Sequence, residues 1–491
     1  MLRTNARVLL RSTAAYSVSA LVGPLFTLLL APVYARAMPQ ADFGVVELVL
    51  TLAMVLSVIG SLGMATALGA LMREQPDEAA RQRLAATASW LAAGGCALLA
   101  AAGLAAARPL AAWWAGDAGR ALEVSIYLLN LPFGAIFSVQ MAALRLRQLA
   151  WRANALTVAQ VLLLAFWNLL LVVVLRLNAA GALAAQALSY VLLAGLCAFV
   201  APETFFARPL AAAVRPLLLA GAPLVPAGLA AWALAYIDRP LLVQLGIGAG
   251  EIAVYGVGNK LASMLAVASA PFSLAWTPFA LALHGRPEAP RAYARALTGY
   301  VAAMLGGALA LGLFAHEALL LVGTYRFLDA ERYVWLLAYG PIIQGSYGLI
   351  SAALLAGRRT AHLAWTSALG AAVNVALNLL LVPTLGVLGA AIATPLGYAC
   401  GPLAAYAVAQ RAFPVPYERG RLLLALLAHA ALLAVGLPLM LREGTSAASL
   451  AARALLLALY PLALLALGVV SRAEVGLAVG WARRKMRGVL Q

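Results

Sequence analysis

Asp238 and Arg239 stand side by side inside a run of about thirty otherwise apolar residues, from Leu217 to Gly246. A charge at mid-membrane costs at least about 2.5–3.5 kcal/mol on insertion scales, so an ionisable pair there needs a reason. Neighbours on a helix point in different directions, so the two side chains need not pair with each other. Pro240 follows at once; it lacks an N–H and leaves the carbonyl of Tyr236 without its helical partner. Lys260, beside Asn259, lies about two turns inside the next apolar run. That is far for a lysine to snorkel, which favours a cavity-facing cation. Glu47 sits near the start of the second run, where it can titrate with an ion, pair with an arginine or rest at the interface. Asn374 and Asn378, four apart, share a helix face, and bonding between helices is their first reading.

The elements that must position these residues are long apolar helices. Of 491 residues, 65% are apolar and 10% charged, against about half and a quarter in soluble domains. The apolar runs are continuous and rich in Ala and Leu. Strands of a membrane β-barrel would alternate instead, so helices are expected. A helix rising about 1.5 Å per residue crosses about 30 Å of hydrocarbon in some twenty residues. On that basis about fourteen spans are expected: 13–38, 43–70, 85–107, 121–144, 154–176, 181–201, 217–246, 252–281, 297–321, 333–355, 361–384, 386–410, 422–441 and 452–471. The first is full length and lacks a small-residue cleavage site, so it reads as a retained helix.

The net charge of +17 does not point to nucleic acid, because its distribution is topological. With the N-terminus inside, 24 Lys and Arg fall on the inner side, among them Arg3, Arg7, Arg11, Arg145, Arg147, Arg152, Arg358, Arg359 and the tail after Arg472. The outer side holds 8, including Arg36, Arg120, Arg442 and Arg453. The positive-inside rule then places both termini in the cytoplasm. Cys96, Cys197 and Cys400 lie inside spans without metal-ligand spacing and read as small buried hydrophobes. Loops stay within about fifteen residues, which leaves no room for a soluble catalytic domain. No GxxxxGK[ST], HExxH or GxSxG occurs, so neither ATP hydrolysis nor a common hydrolytic site is expected.

The chain carries signs of duplication. Leu177 with Gly181–Tyr190 matches Leu385 with Gly389–Tyr398 at an offset of 208, and Pro32–Gly44 aligns with Pro240–Ala253 at nearly the same offset. Two parallel six-helix halves follow, 1–210 and 211–411, with two further helices and a basic tail in 412–491. Prolines break the helices at corresponding places, Pro32 and Pro240, with Pro24, Pro223 and Pro226 nearby. Broken helices in equivalent positions of two repeats mark the moving parts and cavity of a transporter.

Three stretches carry a family resemblance. The first runs from Pro32-Val33-Tyr34-Ala35-Arg36 through Asp42-Phe43-Gly44 to Gly60-Ser61-Leu62-Gly63. The second holds Gly221-Ala222-Pro223-Leu224-Val225-Pro226, Asp238-Arg239, Ala253-Val254-Tyr255-Gly256-Val257 and Asn259-Lys260. The third holds Asn374 and Asn378 through Pro383, Gly386 and Gly389-Ala390-Ala391-Ile392-Ala393-Thr394. Across nearly the whole chain the sequence resembles the polysaccharide flippases of the multidrug/oligosaccharidyl-lipid/polysaccharide exporter superfamily. It departs from them at Ala253, often Gly, and Pro240, often aromatic. The resemblance implies an all-α membrane protein with a V-shaped twelve-helix core of two pseudo-symmetric lobes plus two C-terminal helices, in a bacterial inner membrane. It implies no enzyme and no cofactor beyond a coupling proton or sodium ion. The implied cargo is an oligosaccharide repeat unit on undecaprenyl pyrophosphate, moved from the cytoplasmic to the outer leaflet by alternating access. A polysaccharide polymerase and a chain-length regulator are implied partners, with membrane lipids. Arg239, Lys260, Asn259, Arg36 and Arg145 would attract the cargo in a central cavity, since a buried pyrophosphate needs cations. Asp238 or Glu47 would bind the coupling ion, and Pro32 and Pro240 would be hinges. A flippase of lipid-linked peptidoglycan precursor and a cation-coupled multidrug exporter of the same superfamily are the alternatives.

Overall fold

The computed structural model describes residues 30–322, 325–356, 361–440 and 446–472. The expected first span therefore lies outside the described residues up to position 29, as do Arg3, Arg7, Arg11, Pro24, Arg358, Arg359, Arg442 and the tail after Arg472. The described residues form helices and turns without a strand. Among them, 12 helices are long and apolar enough to cross a membrane. The chain is thus an all-α, multi-pass membrane protein. Its bare apolar surface fits that setting: Phe199, Trp151 and Leu98 are 84%, 83% and 72% exposed, and acyl chains cover such side chains without cost.

The expected spans are cut where the sequence removes a backbone donor or adds a glycine turn. The expected second span is α1 (Gln40–Gly60) and α2 (Met64–Leu71), separated by a turn with Leu62 and Gly63 at positive φ. The next are α3 (Glu78–Ala105), α4 (Ala121–Leu128), α5 (Leu131–Leu146), α6 (Ala150–Asn168) and α7 (Asn178–Val200). The Asp77 carboxylate caps α3 by accepting from Ala80 N–H at 2.7 Å. The expected seventh span is three pieces, α8 (Ala211–Gly221), α9 (Val225–Tyr236) and α10 (Asp238–Gln244), followed by α11 (Ala249–Ala262). The expected tenth span, 333–355, is the two helices Glu331–Leu337 and Tyr339–Ala356. Pro341 lacks the N–H that would partner the Leu337 carbonyl.

Contacts divide the chain into two units. The first takes the described part of Met1–Lys260 with Val322–Asp329 and Ser367–Gly397. Charge clusters close both of its ends. Arg120 donates to Asp42 at 2.6 Å and Glu123 at 3.0 Å. At the other end Arg147 bonds Glu78 at 2.6 Å and Glu203 at 3.0 Å, and Arg152 reaches the same Glu203 oxygen at 2.5 Å. Asp42 and Arg120 are both expected outside, and Arg147 and Arg152 both inside. Thr204 donates to Gln140, which donates to Ser89, tying the segment after α7 to α5 and α3.

Burial pushes the Glu203 carboxyl up, but its own backbone amide and then Arg147 and Arg152 outweigh this and hold it below the usual range. A depressed carboxylate contributes stability above its unfolded value, near pH 4.3, and loses it as pH falls through the folded value. Glu203→Gln is therefore expected to lower stability at pH 7 by about 1 kcal/mol or less, as for a partly exposed pair, and the melting temperature with it. In melting curves taken at falling pH, the gap to wild type should close at the acid end.

In the same unit the start of α11 lies against α1. A Cβ built on Gly44 would stand 1.9 Å from the Ala249 carbonyl oxygen, whereas one on Gly94 meets nothing within 4 Å. Gly44→Ala must push backbone from backbone and is expected to cost about 1–3 kcal/mol. Gly94→Ala should leave the melting temperature unchanged or raise it.

The second unit, Leu261–Leu321, Ala330–Thr366 and the described part of Tyr398–Gln491, packs around the Ala289–Leu313 helix. Tyr293, Leu305, Leu309 and Leu313 are buried there, and Tyr460 donates to the Ala302 carbonyl at 2.9 Å. Arg453, two turns into the Ala447–Ala466 helix, is 2% exposed. It grips Glu317 with both terminal nitrogens, at 2.7 and 3.0 Å, and donates to the Leu313 carbonyl. Glu317 and a backbone carbonyl supply the partners that a buried guanidinium needs.

Candidate functional site

The break predicted at Pro240 positions the site. α9 ends at Tyr236, Ile237 forms the turn and Asp238 opens α10. Asp238 thereby sits where a new helix offers unpaired amides, and its Oδ1 accepts from the Arg239 backbone N–H at 2.9 Å. The Arg239 guanidinium curls back to the same oxygen at 2.9 Å and to the Ala235 carbonyl at 3.1 Å. Consecutive residues do pair here, because the interrupted helix and the long arginine side chain allow it. Tyr255 of α11 donates its hydroxyl to Asp238 Oδ2 and lies 3.3 Å from Thr394 Oγ1. The guanidinium rests over the rings of Tyr236 and Tyr255, 5.2 and 5.6 Å from their centroids. Asp238 and Arg239 are 3% and 2% exposed. The pair is a buried knot joining α10, α11 and the helix of Thr394.

A second ion pair lies nearby in the chain's order. Lys260 of α11 donates to Glu47 Oε1 of α1, and its ammonium sits 4.6 Å from the Phe43 ring centroid. Gly256, one turn before Lys260, leaves room for the carboxylate: a Cβ there would stand 3.1 Å from Glu47 Cγ. Glu47 is thus a counter-ion rather than an interfacial glutamate.

This unit holds a half-open cavity of about 720 Å³, within the usual range of about 300–1,000 Å³ for ligand sites. Lys260, Tyr236 and Trp232 line it from the α9–α11 side, and Tyr34, Tyr127, Asn130, Gln160, Gln186 and Tyr190 from the rest. Among the described residues, Lys260 is the lysine or arginine in that lining. Trp232 is fixed by its indole N–H on the Thr51 carbonyl at 3.1 Å. Tyr34 donates to Asn168 Oδ1 at 2.7 Å, where α6 widens into a π-helical segment, Leu169–Val174.

Of the residues singled out in the sequence, the structure brings Asp238 to Arg239 and Glu47 to Lys260. Lys260 lines the cavity; Arg239, Asn259, Arg36 and Arg145 do not. Arg36 and Arg145 are exposed, Arg145 in the last turn of α5. Pro32 lies in a helical stretch, half-buried, and Pro240 is buried in α10. Asn378 bonds the Asn374 carbonyl at 2.9 Å and Asn374 donates to the Ala393 carbonyl at 3.3 Å, so this pair does join two helices. Sequence reasoning missed the phenols and Gln186. Their one signal was the i, i+4 spacing of Gln186 and Tyr190.

The profile of the family described as "Polysaccharide biosynthesis protein" matches residues 9–284. No curated protein matches the sequence significantly. Among solved structures, the fold is similar to that of the lipid II flippase MurJ in an inward closed conformation, with a TM-score of 0.70 at 12% identity over 92% of this chain and 98% of that one. It is also similar to an inward-facing multidrug resistance MATE family transporter of the MOP superfamily, with a TM-score of 0.68 at 17% identity over 79% and 93%. An outward-facing MATE family transporter gives 0.54 at 17% identity over 82% and 94%. At these identities the likeness is one of fold.

Proposed function

The chain belongs to the polysaccharide biosynthesis protein family, and on that premise we propose that it is a flippase for undecaprenyl-pyrophosphate-linked oligosaccharide units. It carries them from the cytoplasmic to the outer leaflet of a bacterial inner membrane, for O-antigen, capsule or exopolysaccharide assembly. Both termini are cytoplasmic, and a polymerase and a chain-length regulator receive the cargo. The chain acts as a carrier, not an enzyme. The observation that carries this reading is the cavity within a membrane-spanning unit, whose largely apolar wall carries a group of phenols and amides and, among the described residues, one ammonium, Lys260. A saccharide needs such neutral hydrogen-bonding groups, and a pyrophosphate needs a cation.

In this account Lys260 exchanges Glu47 for the cargo's phosphate. The freed Glu47 is then the group to take up a coupling proton or sodium ion, because an unpaired carboxylate in apolar surroundings is costly. The buried Asp238–Arg239 pair holds α10 against α11 and gives the break at Pro240 its geometry. Pro240 and Pro32 serve as hinges in alternating access, and Arg36 and Arg145 draw the anionic cargo toward either mouth. A multidrug exporter for cationic compounds is less well supported, since both carboxylates are held by cations.

The test is complementation of a deletion strain with Lys260→Ala. Surface polysaccharide should be lost while the protein stays in the membrane and the lipid-linked unit accumulates. Undiminished polysaccharide with Lys260→Ala would remove the lysine from the mechanism. A changed drug-resistance profile with unchanged polysaccharide would favour the exporter.

A further inference from the structure

We propose that the phenol–amide side of the cavity is a carbohydrate subsite that selects an uncharged, hydroxyl-bearing sugar ring; this rests on the reading of the cargo as a lipid-linked oligosaccharide. Five residues make it: Tyr127, Asn130, Gln160, Gln186 and Tyr190. Gln186 and Tyr190 lie one turn apart on α7 and so share a face. Tyr127 donates its hydroxyl to Gln186 Oε1 at 3.2 Å, and Gln160 Nε2 donates to the Tyr190 hydroxyl at 3.1 Å. Each glutamine therefore uses one half of its amide internally, Gln186 as acceptor and Gln160 as donor. The opposite halves are an NH₂ and a carbonyl oxygen. A sugar hydroxyl, donor and acceptor at once, satisfies both types.

Asn130, 4% exposed, stands in the same wall beside Tyr127, to which its side chain bonds. The lining also disfavours a charged ring here. Among the described residues its cation is Lys260, which the phosphate takes, so a uronate or phosphorylated sugar against the phenols and amides would be desolvated without a second counter-charge from them. The cavity thus divides the labour, with phosphate on Lys260 and neutral sugar on the five polar side chains.

The test measures binding of two probes to the full chain in nanodiscs. One is the repeat oligosaccharide released from the host's own lipid carrier and stripped of phosphate; the other is inorganic pyrophosphate. Gln186→Ala and Gln160→Ala are each expected to weaken the oligosaccharide about five- to tenfold, as losing one or two hydrogen bonds does, and to leave pyrophosphate unchanged. Lys260→Ala should do the reverse. Tyr190→Phe, which removes one oxygen and keeps the ring, provides the measurement if a glutamine variant fails to fold. Oligosaccharide affinity unmoved in these variants, no binding to wild type, or joint loss of both probes would overturn the subsite. If the oligosaccharide binds as described yet the lipid-linked unit is not moved across the membrane, the subsite stands and the transport reading falls. If the unit is moved normally by Gln186→Ala with unchanged sugar affinity, transport stands and the subsite falls.

Discussion

Asp238→Ala is expected to cost about 3–5 kcal/mol of stability, the penalty for leaving the partner of a buried ion pair uncompensated. Arg239 would keep the Ala235 carbonyl and two ring faces but lose the carboxylate that both its guanidinium and its backbone N–H use. Tyr255 would lose its carboxylate acceptor and keep only the longer contact to Thr394 Oγ1 at 3.3 Å. Replacing both members, Asp238→Leu with Arg239→Met, should restore most of the stability, because apolar groups of similar volume substitute for a buried pair at little cost. The remaining deficit is the Tyr255 hydroxyl, about 1 kcal/mol. Melting in detergent and abundance in membranes are the measurements. A double variant as unstable as Asp238→Ala would contradict the account of the pair as a structural knot.

The second large effect concerns Lys260. Its loss should weaken inorganic pyrophosphate binding about tenfold or more, the worth of a charge-assisted hydrogen bond at about 1.5–3 kcal/mol. Glu47→Gln should act oppositely and tighten binding by a similar factor, since the anion would no longer compete with the Glu47 carboxylate for the lysine. Titration of the purified protein in nanodiscs reads both. If the two variants shift affinity in the same direction, Glu47 does not compete with the anion.

The charged members of the site were legible in the sequence because charges inside apolar runs are conspicuous. Asp238, Arg239, Glu47 and Lys260 all stood out on that ground. Their partners were less legible. Glu47 and Lys260 are separated by 213 positions, and no periodicity links them. Asp238 and Arg239 pair only because the helix is interrupted at Ile237, which moves Asp238 to a new first turn. The break itself was written in Pro240. The same proline rule, applied at Pro341, would have divided the tenth expected span, which composition alone left whole. The cavity wall was hardest to see. Tyrosines and glutamines are neutral and half apolar, so they blend into a membrane helix until packing turns several toward one space. Arg453 was expected on the outer side of the membrane by its place in the chain; that it is buried on Glu317, 136 positions away in the same unit, had no sign in the sequence.

The most direct measurement is the sidedness of the lipid-linked repeat unit in a deletion strain, with and without the wild-type gene. The account predicts that without the protein the unit accumulates on the cytoplasmic leaflet, that wild type restores its appearance on the outer face, and that Lys260→Ala, present at normal abundance, does not. A unit that still reaches the outer face in the deletion strain, with no second flippase present, would contradict the assignment of this chain as the protein that moves it.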